Sequence, residues 1–533
     1  MATLLKNCKI YDGTGAPAFS GAVLIEDDKI LEVGEIDEAK ADKVIDLGGK
    51  SLAPGFIDCH SHNDWFAIKN DPYKYFAPFI QQGITTFVTG NCGLSTIGFT
   101  KDTPEENKNL IGGGLFFYND VTGKYGDIEE YNKAIDKNMP CNIATCVGHG
   151  SARAAVAGNK AGKLSADEEK AMLDIIEDNL KKGAAGVSLG LMYEPGIYSD
   201  TEELRKVAAL CCKYNKPLTV HPRAESKFSM SYDQLFGRSH LLRAEDELYD
   251  IAHGTNLKLQ HSHAIFVGTS SFKDVDEFLE IQEKLRAEGV DAMFDIYDHD
   301  LGVSVITVVL PPWYMGMSKE ERAKPFTKLK LSILIKATSL LLGFGFDDIQ
   351  VAYIGEGFEE YEGYTVHQLA KKYGKSDLDM YLELCEKSNF KGRVNQGPYT
   401  NADIIKRFEH NPNCLYMTDA WVEEHGVQNP SIYDCFPKFL QDSLKGTGDT
   451  MEQTVRRMSG ASADRFMLKD RGYVKPGYFA DLTVFNEDEL KSATPNQTHS
   501  FGIEKVFING TLVCDSDVVD AGAVKTSGRA LVV

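Results

Sequence analysis

Seven short apolar runs, each followed by a stretch of helical periodicity, pace the middle of the chain: Thr85 to Val88, Asn142 to Val147, Gly186 to Leu191, Pro217 to Val220, Leu257 to Leu259, Asp291 to Phe294 and Cys414 to Met417. Runs this short and apolar suit strands covered on both faces. Strands alternating with helices pair in parallel, because each crossover brings the chain back to the same end of the sheet. Repeated this often, the unit predicts an α/β fold built on a parallel barrel. In such a barrel the side chains at the C-terminal strand ends, and in the loops beyond them, build the active site. Polar residues at those ends are therefore the ones to inspect for chemistry.

The two chain ends break this rhythm. The first fifty residues alternate Leu4-Leu5, Val23-Leu24-Ile25 and Ile30-Leu31 with turns at Asp12-Gly13 and Asp27-Asp28, and are expected to form a small antiparallel sheet. The last seventy look alike: Ala480 to Phe485 and Lys505 to Val513 are strand-like, and Asn509-Gly510 marks a hairpin. A chain of 533 residues exceeds an ordinary single domain, so one large domain with a smaller companion is expected. The division that follows is a small strand domain paired from residues 1–54 and 465–533, with the barrel over 55–464 and extra elements inserted near 302–345.

A net charge of -21 argues against nucleic acid or an anionic membrane as a partner; it is read mainly as a solubility feature and does not identify the substrate, and the expected partner, a small molecule, rests on the site residues below. Eleven cysteines are scattered from Cys8 to Cys514 without the dense spacing of a disulfide scaffold, which fits a reducing compartment. The N-terminus turns polar too early for a signal peptide. The longest apolar stretch, Leu329 to Phe346, is interrupted by Lys330 and Lys336 and is not read as a membrane span. The expected location is the cytoplasm. Oligomeric state stays open, a homo-oligomer included.

A lone histidine is more often a surface or hydrogen-bonded core residue than a ligand. Four of the thirteen stand out by placement. His60 and His62, in Asp58-Cys59-His60-Ser61-His62, alternate at the end of an expected buried strand and would point to one face. His221 follows Leu218-Thr219-Val220, and His263 follows the run ending at Leu259. Cys92 lies between glycines just past the first run, Thr85 to Val88, where the backbone can turn sharply and present a thiolate; an inert buried cysteine is the competing reading. Imidazole and thiolate together are donors zinc prefers. Asp419 ends the last run, placed to move a proton beside a metal-activated water. The set predicts a zinc-dependent hydrolase with one or two ions per chain, metal residues His60, His62, Cys92, His221, His263 and Asp419, and Asp419 as the catalytic base and acid.

The chain resembles the N-acyl-D-amino-acid deacylase (D-aminoacylase) branch of the amidohydrolase superfamily over nearly its whole length. The resemblance is carried by Pro54-Gly55-Phe56-Ile57-Asp58-Cys59-His60-Ser61-His62, Gly90-Asn91-Cys92-Gly93, Val147-Gly148-His149-Gly150, Tyr193-Glu194-Pro195-Gly196 and His221-Pro222-Arg223-Ala224-Glu225. Ser262-His263, Leu310-Pro311-Pro312-Trp313, Thr418-Asp419, Asp470-Arg471-Gly472 and Ala480-Asp481-Leu482 complete it. It implies a distorted TIM (β/α)8 barrel with a β-sandwich assembled from both termini, and hydrolysis of carbon–nitrogen amide bonds other than peptide bonds. It also implies that Cys92, His221 and His263 form the tighter zinc site, with His60, His62 and Asp419 lining a weaker one.

The family pattern has a lysine two residues after the serine-histidine pair and a His-Pro-Arg after the catalytic aspartate. Here these positions read Ile265 and Asn429-Pro430-Ser431, so both cations that help hold a substrate carboxylate are missing. The expected Tyr-Pro-Tyr reads Tyr297-Asp298-His299, and the added carboxylate would repel an anion. Tyr297 and Arg223 remain as candidate substrate-binding residues, Arg223 with bracing of Glu225 as its alternative use. The losses raise a competing substrate class, a cyclic or neutral amide such as a lactam, hydantoin or dihydropyrimidine. A deaminase and a metal-binding scaffold without turnover are the readings from other classes.

Overall fold

The computed structural model describes residues 1–111, 125–229, 231–232 and 237–533. Eight strand positions surround its centre: β1 (Phe56–Asp58), β2 (Ile84–Thr89), β3 (Asn142–Thr145 continuing as Val147–Gly148), β4 (Val187–Gly190), β5 (Pro217–His221), β6 (Lys258–His261), β7 (Asp291–Ile296) and β8 (Cys414–Tyr416). Neighbours pair in parallel from β1 to the first part of β3, and from its second part through to β8. Every residue of β2, β4 and β5 is buried, which is why these strands read as unbroken apolar runs and not as alternating ones.

Between β8 and β1 the closure is made mostly through side chains, with one backbone bond from the Asp419 N–H to the His60 carbonyl at 3.3 Å. The Cys59 thiol donates to the Tyr416 carbonyl at 3.2 Å, and the Thr418 N–H and hydroxyl donate to Asp58 at 3.1 and 2.5 Å. This seam, with the break in β3, makes the structure a distorted TIM barrel.

Crossover helices follow from their sequence. Ala166–Lys181 begins at Ser165, whose hydroxyl accepts from the Glu168 N–H while Glu168 accepts from the Ser165 N–H, and it buries Met172, Ile176 and Leu180 along one stripe.

Strands from both chain ends share one nine-stranded sheet, joined where Ser51–Pro54 runs antiparallel to Leu482–Phe485. The expected antiparallel pattern of the first fifty residues holds only in part. Ala2–Ile10 pairs antiparallel with Phe19–Glu26 but parallel with Lys43–Asp46 and Ser51–Pro54, because the chain crosses back through a short 3-10 turn at Glu38–Lys40. The hairpin forms at Asn509 and Gly510, both with positive φ (47° and 78°), the geometry that suits the twist of paired strands.

After β7 the chain leaves the barrel. Gly302–Val305, Ile349–Tyr353 and Arg393–Gln396 form an antiparallel sheet with an apolar core of their own that includes Ile306, Leu331, Ile335, Val351 and Val394. The extra elements thus run on past Gly345 to Gln396. All eleven cysteines are free thiols. Among the described residues no helix is long and apolar enough to cross a membrane.

Candidate metal centre

The six residues singled out from the sequence come together at the C-terminal end of the barrel. The Cys92 Sγ lies 3.5 Å from His60 Nε2 and 3.7 Å from His221 Nδ1, and His221 Nδ1 lies 2.9 Å from His263 Nε2. The Asp419 carboxylate stands 3.3 Å from His60 Nε2, 3.5 Å from His62 Nε2 and 3.8 Å from His263 Nε2. Donor atoms of His60, Cys92 and His263, and of His60, His62 and Asp419, lie within 4.8 Å of one another in each trio. His60 belongs to both, so the two expected ligand sets are one contiguous cluster.

The route by which His60 and His62 arrive differs from the expectation. The strand stops at Asp58, and both histidines lie in the turn beyond it. Asp58 explains the early stop: its carboxylate accepts from the His60 N–H at 3.2 Å as well as from Thr418, tying the turn to the loop that carries Asp419. His263 and Asp419 likewise sit past their strands, in loops rather than at the last ladder residue.

Cys92 and Asp419 both adopt a left-handed backbone, with φ of 54° and 46°. A non-glycine residue there carries strain of order 1 kcal/mol or more, held in place by its surroundings. For Cys92 the hold is visible. Gly90 and Gly93 flank it at positive φ, the Asp64 carboxylate accepts from the Gly90 and Thr96 N–H groups at 3.3 and 3.0 Å, and the Ser188 hydroxyl accepts from the Gly93 N–H at 3.0 Å. Gly190 backs the turn so closely that a Cβ there would lie 1.9 Å from the Cys92 carbonyl oxygen. Gly190→Ala is therefore expected to displace Cys92 and lower zinc content and thermal stability together, by roughly 1–3 kcal/mol in stability as overpacking does. Metal analysis and a melting curve check it; a variant with unchanged zinc would show that the turn adapts.

Two carboxylates overlooked in the sequence stand beside the imidazoles. Glu225 lies 2.7 Å from His263 Nδ1 and 3.7 Å from His221 Nε2, and Asp295 lies 3.5 Å from His60 Nδ1. Such partners fix which ring nitrogen faces a metal. Glu225 stands four residues after His221 in the His-Pro-Arg-Ala-Glu run, and Asp295 is a carboxylate inside a buried strand; both were available as signals.

Burial alone would push Cys92 and Asp419 up, but neighbouring imidazoles, His60 first for each, hold the thiol and the carboxyl well below their usual ranges. His60 and His263 are raised in return, against burial, His60 by Cys92 and Asp419 and His263 by Glu225 and Asp419. The donor set fits zinc: a readily ionised thiol among imidazoles on one side, and imidazoles with a carboxylate on the other. Burial, then Cys92 for Tyr193 and Asp419 for Tyr297, raises both phenols well above their usual range and keeps them protonated. The Tyr193 ring lies 4.6 Å from that of His221.

Arg223 is engaged elsewhere. Its guanidinium donates to both Glu247 oxygens at 2.8 and 3.0 Å and to the Ile197 and Ser199 carbonyls at 2.7 and 3.0 Å. That geometry favours a bracing role, directed at Glu247 and not at Glu225 as expected. Ile265 is part of the main apolar core, and Ser431 is buried at the start of a helix where its carbonyl accepts from Gln82 at 3.0 Å. Asp298, expected to repel an anion, is paired with Lys438 at 3.3 Å and grouped with Glu409 and Asp442.

With this geometry in hand, comparison with known proteins is specific. The profile of the Amidohydrolase family matches residues 43–298. A D-aminoacylase of Alcaligenes xylosoxydans xylosoxydans is 26% identical over 520 residues, 96% of this chain and 94% of that protein. A crystal structure of D-aminoacylase superposes with a TM-score of 0.77 at 27% identity, covering 99% of each chain. This chain is a metal-dependent amidohydrolase similar to D-aminoacylase over nearly its whole length. An N-acyl-D-glutamate deacylase from Bordetella bronchiseptica, solved with zinc and a phosphonate mimic of the tetrahedral intermediate, matches this amidohydrolase at a TM-score of 0.78 and 25% identity over 100% of this chain and 99% of that one.

Proposed function

We propose that this amidohydrolase cleaves the carbon–nitrogen amide bond of small N-acylated molecules, with an N-acyl-D-amino acid as the first substrate class, at a zinc centre held by His60, His62, Cys92, His221, His263 and Asp419. The position of Asp419 carries the reading, because one carboxylate completes the trio with His60 and His62 and also lies 3.8 Å from His263 of the trio with Cys92. Zinc, when bound, supplies Lewis acidity that polarises an amide carbonyl and acidifies water. Asp419 accepts the proton of the attacking water as its oxygen bonds to the acyl carbon, then returns that proton to the nitrogen as the carbon–nitrogen bond breaks. The products are a carboxylate and an amine. Tyr193 and Tyr297, with their phenol protons retained, serve as donors to the acyl oxygen and the rest of the substrate. The named relatives, a D-aminoacylase and a zinc-bound N-acyl-D-glutamate deacylase, support the substrate class and the metal.

A panel of N-acyl-D- and N-acyl-L-amino acids, neutral amides, hydantoins and dihydropyrimidines tests the proposal with zinc-loaded and chelator-treated protein. Free D-amino acid is expected from the acyl-D members, lost on chelation and restored by zinc. Ring opening without D-amino acid release would move the substrate to cyclic amides, and ammonia as the product would overturn the reaction class.

A further inference from the structure

From Arg322 to Phe346 the sequence carries five cations, Arg322, Lys324, Lys328, Lys330 and Lys336, and no Asp or Glu, in a chain that holds 78 acidic residues elsewhere. Most of this stretch is the helix Pro325–Leu342, opened by a proline in its first turn and closed by Gly343 in the left-handed conformation. One face buries Thr327, Leu331, Ile335 and Leu342 in the core of the inserted elements. The opposite face is also apolar: Phe326, Leu329, Ile333 and Leu340 are 77%, 58%, 62% and 86% exposed. Their spacing of three, four and seven residues lines them along one stripe. Leu341, exposed as well, lies beside it, and two exposed lysines flank it, Lys336 and Lys330, the ammonium of the latter resting 4.2 Å over the Trp313 ring.

An apolar stripe of four large side chains is more than the scattered exposed residues of an ordinary surface and marks a contact face. We propose that this face seats in the headgroup region of an anionic lipid bilayer, with Phe326, Leu329, Ile333 and Leu340 entering the acyl boundary and Lys330 and Lys336 extending to lipid phosphates. Charge selects the occupant. A second copy docking through the same face would set Lys330 and Lys336 against their own counterparts, whereas anionic headgroups offer opposite charge and apolar depth together. The long-range repulsion expected of a net charge of -21 is screened by salt and countered locally by the cations of this segment, among which Lys328 is paired with Asp379 at 3.3 Å. The end of the helix meets the loop after His263, where the Thr269 N–H donates to the Gly343 carbonyl at 3.4 Å, so docking brings the rim of the barrel mouth to the bilayer.

The test is sedimentation of the full chain with vesicles of phosphatidylcholine alone and of phosphatidylcholine with phosphatidylglycerol, at low and high salt. Binding is expected on the anionic vesicles, weak on the neutral ones and reduced by salt. Lys330→Glu with Lys336→Glu should weaken it by on the order of 5-fold per lysine. Phe326→Ser with Ile333→Ser and Leu340→Ser should abolish it, both variants keeping the wild-type circular dichroism spectrum. Equal binding to both vesicle types, or wild-type binding by either variant, overturns the proposal. So does self-association in the ultracentrifuge that the triple variant abolishes while vesicles go unbound, which would assign the face to a second copy.

Discussion

Replacing Asp419 with asparagine is expected to lower kcat by about 10³-fold, inside the range seen when a positioned proton-transfer group is lost. That is about 4 kcal/mol of barrier. Asparagine matches the carboxylate in shape, so it keeps the loop and its left-handed turn while removing the basicity on which both proton transfers depend. The local field makes the native group a true carboxylate: burial opposes ionisation, but His60 and His263 outweigh it and hold Asp419 well below the usual range. Zinc content measured on the same sample separates proton transfer from metal loss. Asp419→Asn should keep an ion on Cys92, His221 and His263, whereas Cys92→Ala should lose that ion and the activity with it. An asparagine variant within tenfold of the wild-type kcat would assign the proton transfers to another group.

Much of the fold and of this site was legible from short-range pattern. Fully buried parallel strands give themselves away as apolar runs, and the barrel rule then points to the residues just beyond them; His221 needed nothing more, because it is the last residue of its strand. His60 and His62 were found for an incomplete reason. Alternation along a strand would have aligned them, but the strand ends at Asp58 and the turn is held by hydrogen bonds from Thr418, which lies 360 residues away in the sequence. Partners that distant leave no local periodicity. The same holds for Glu225 and Asp295, whose value lies in which imidazole they face, and for Arg223, whose donors are consumed by Glu247 and two carbonyls from a neighbouring loop. The parallel partners of Ala2–Ile10 were missed because a crossover within fifty residues has the same alternation as a hairpin.

The Ala480-Asp481-Leu482 run, which in the sequence served only as a mark of resemblance, has a structural reason that sets the second large expected effect. Asp481 is buried and pairs with Arg471, equally buried; its Oδ1 accepts from the Asn509 N–H at 2.8 Å, and Asn142 Nδ2 approaches both of its oxygens at 3.3 Å. Asn509 closes the network, its Oδ1 accepting from Arg471 Nη2 at 2.9 Å and its Nδ2 donating to Asn142 Oδ1 at 2.8 Å. Asn142 opens β3, whereas Asp481 and Asn509 flank strands of the terminal sheet, so this cluster stitches the barrel to that sheet. Asp481→Ala leaves a guanidinium buried without its counter-charge and is expected to destabilise the protein by about 3–5 kcal/mol. Urea unfolding measures it, and Arg471→Met added to Asp481→Ala should recover part of the loss, since removing both charges costs less than stranding one. Asn142 stands at the N-terminal end of its strand, the face of the barrel away from the histidines, so the fraction that stays folded should retain its zinc and its kcat. A loss below about 1 kcal/mol would place this contact with solvent-exposed pairs of little consequence, and a fall in kcat at full folding would show that the terminal sheet shapes the metal centre through β3.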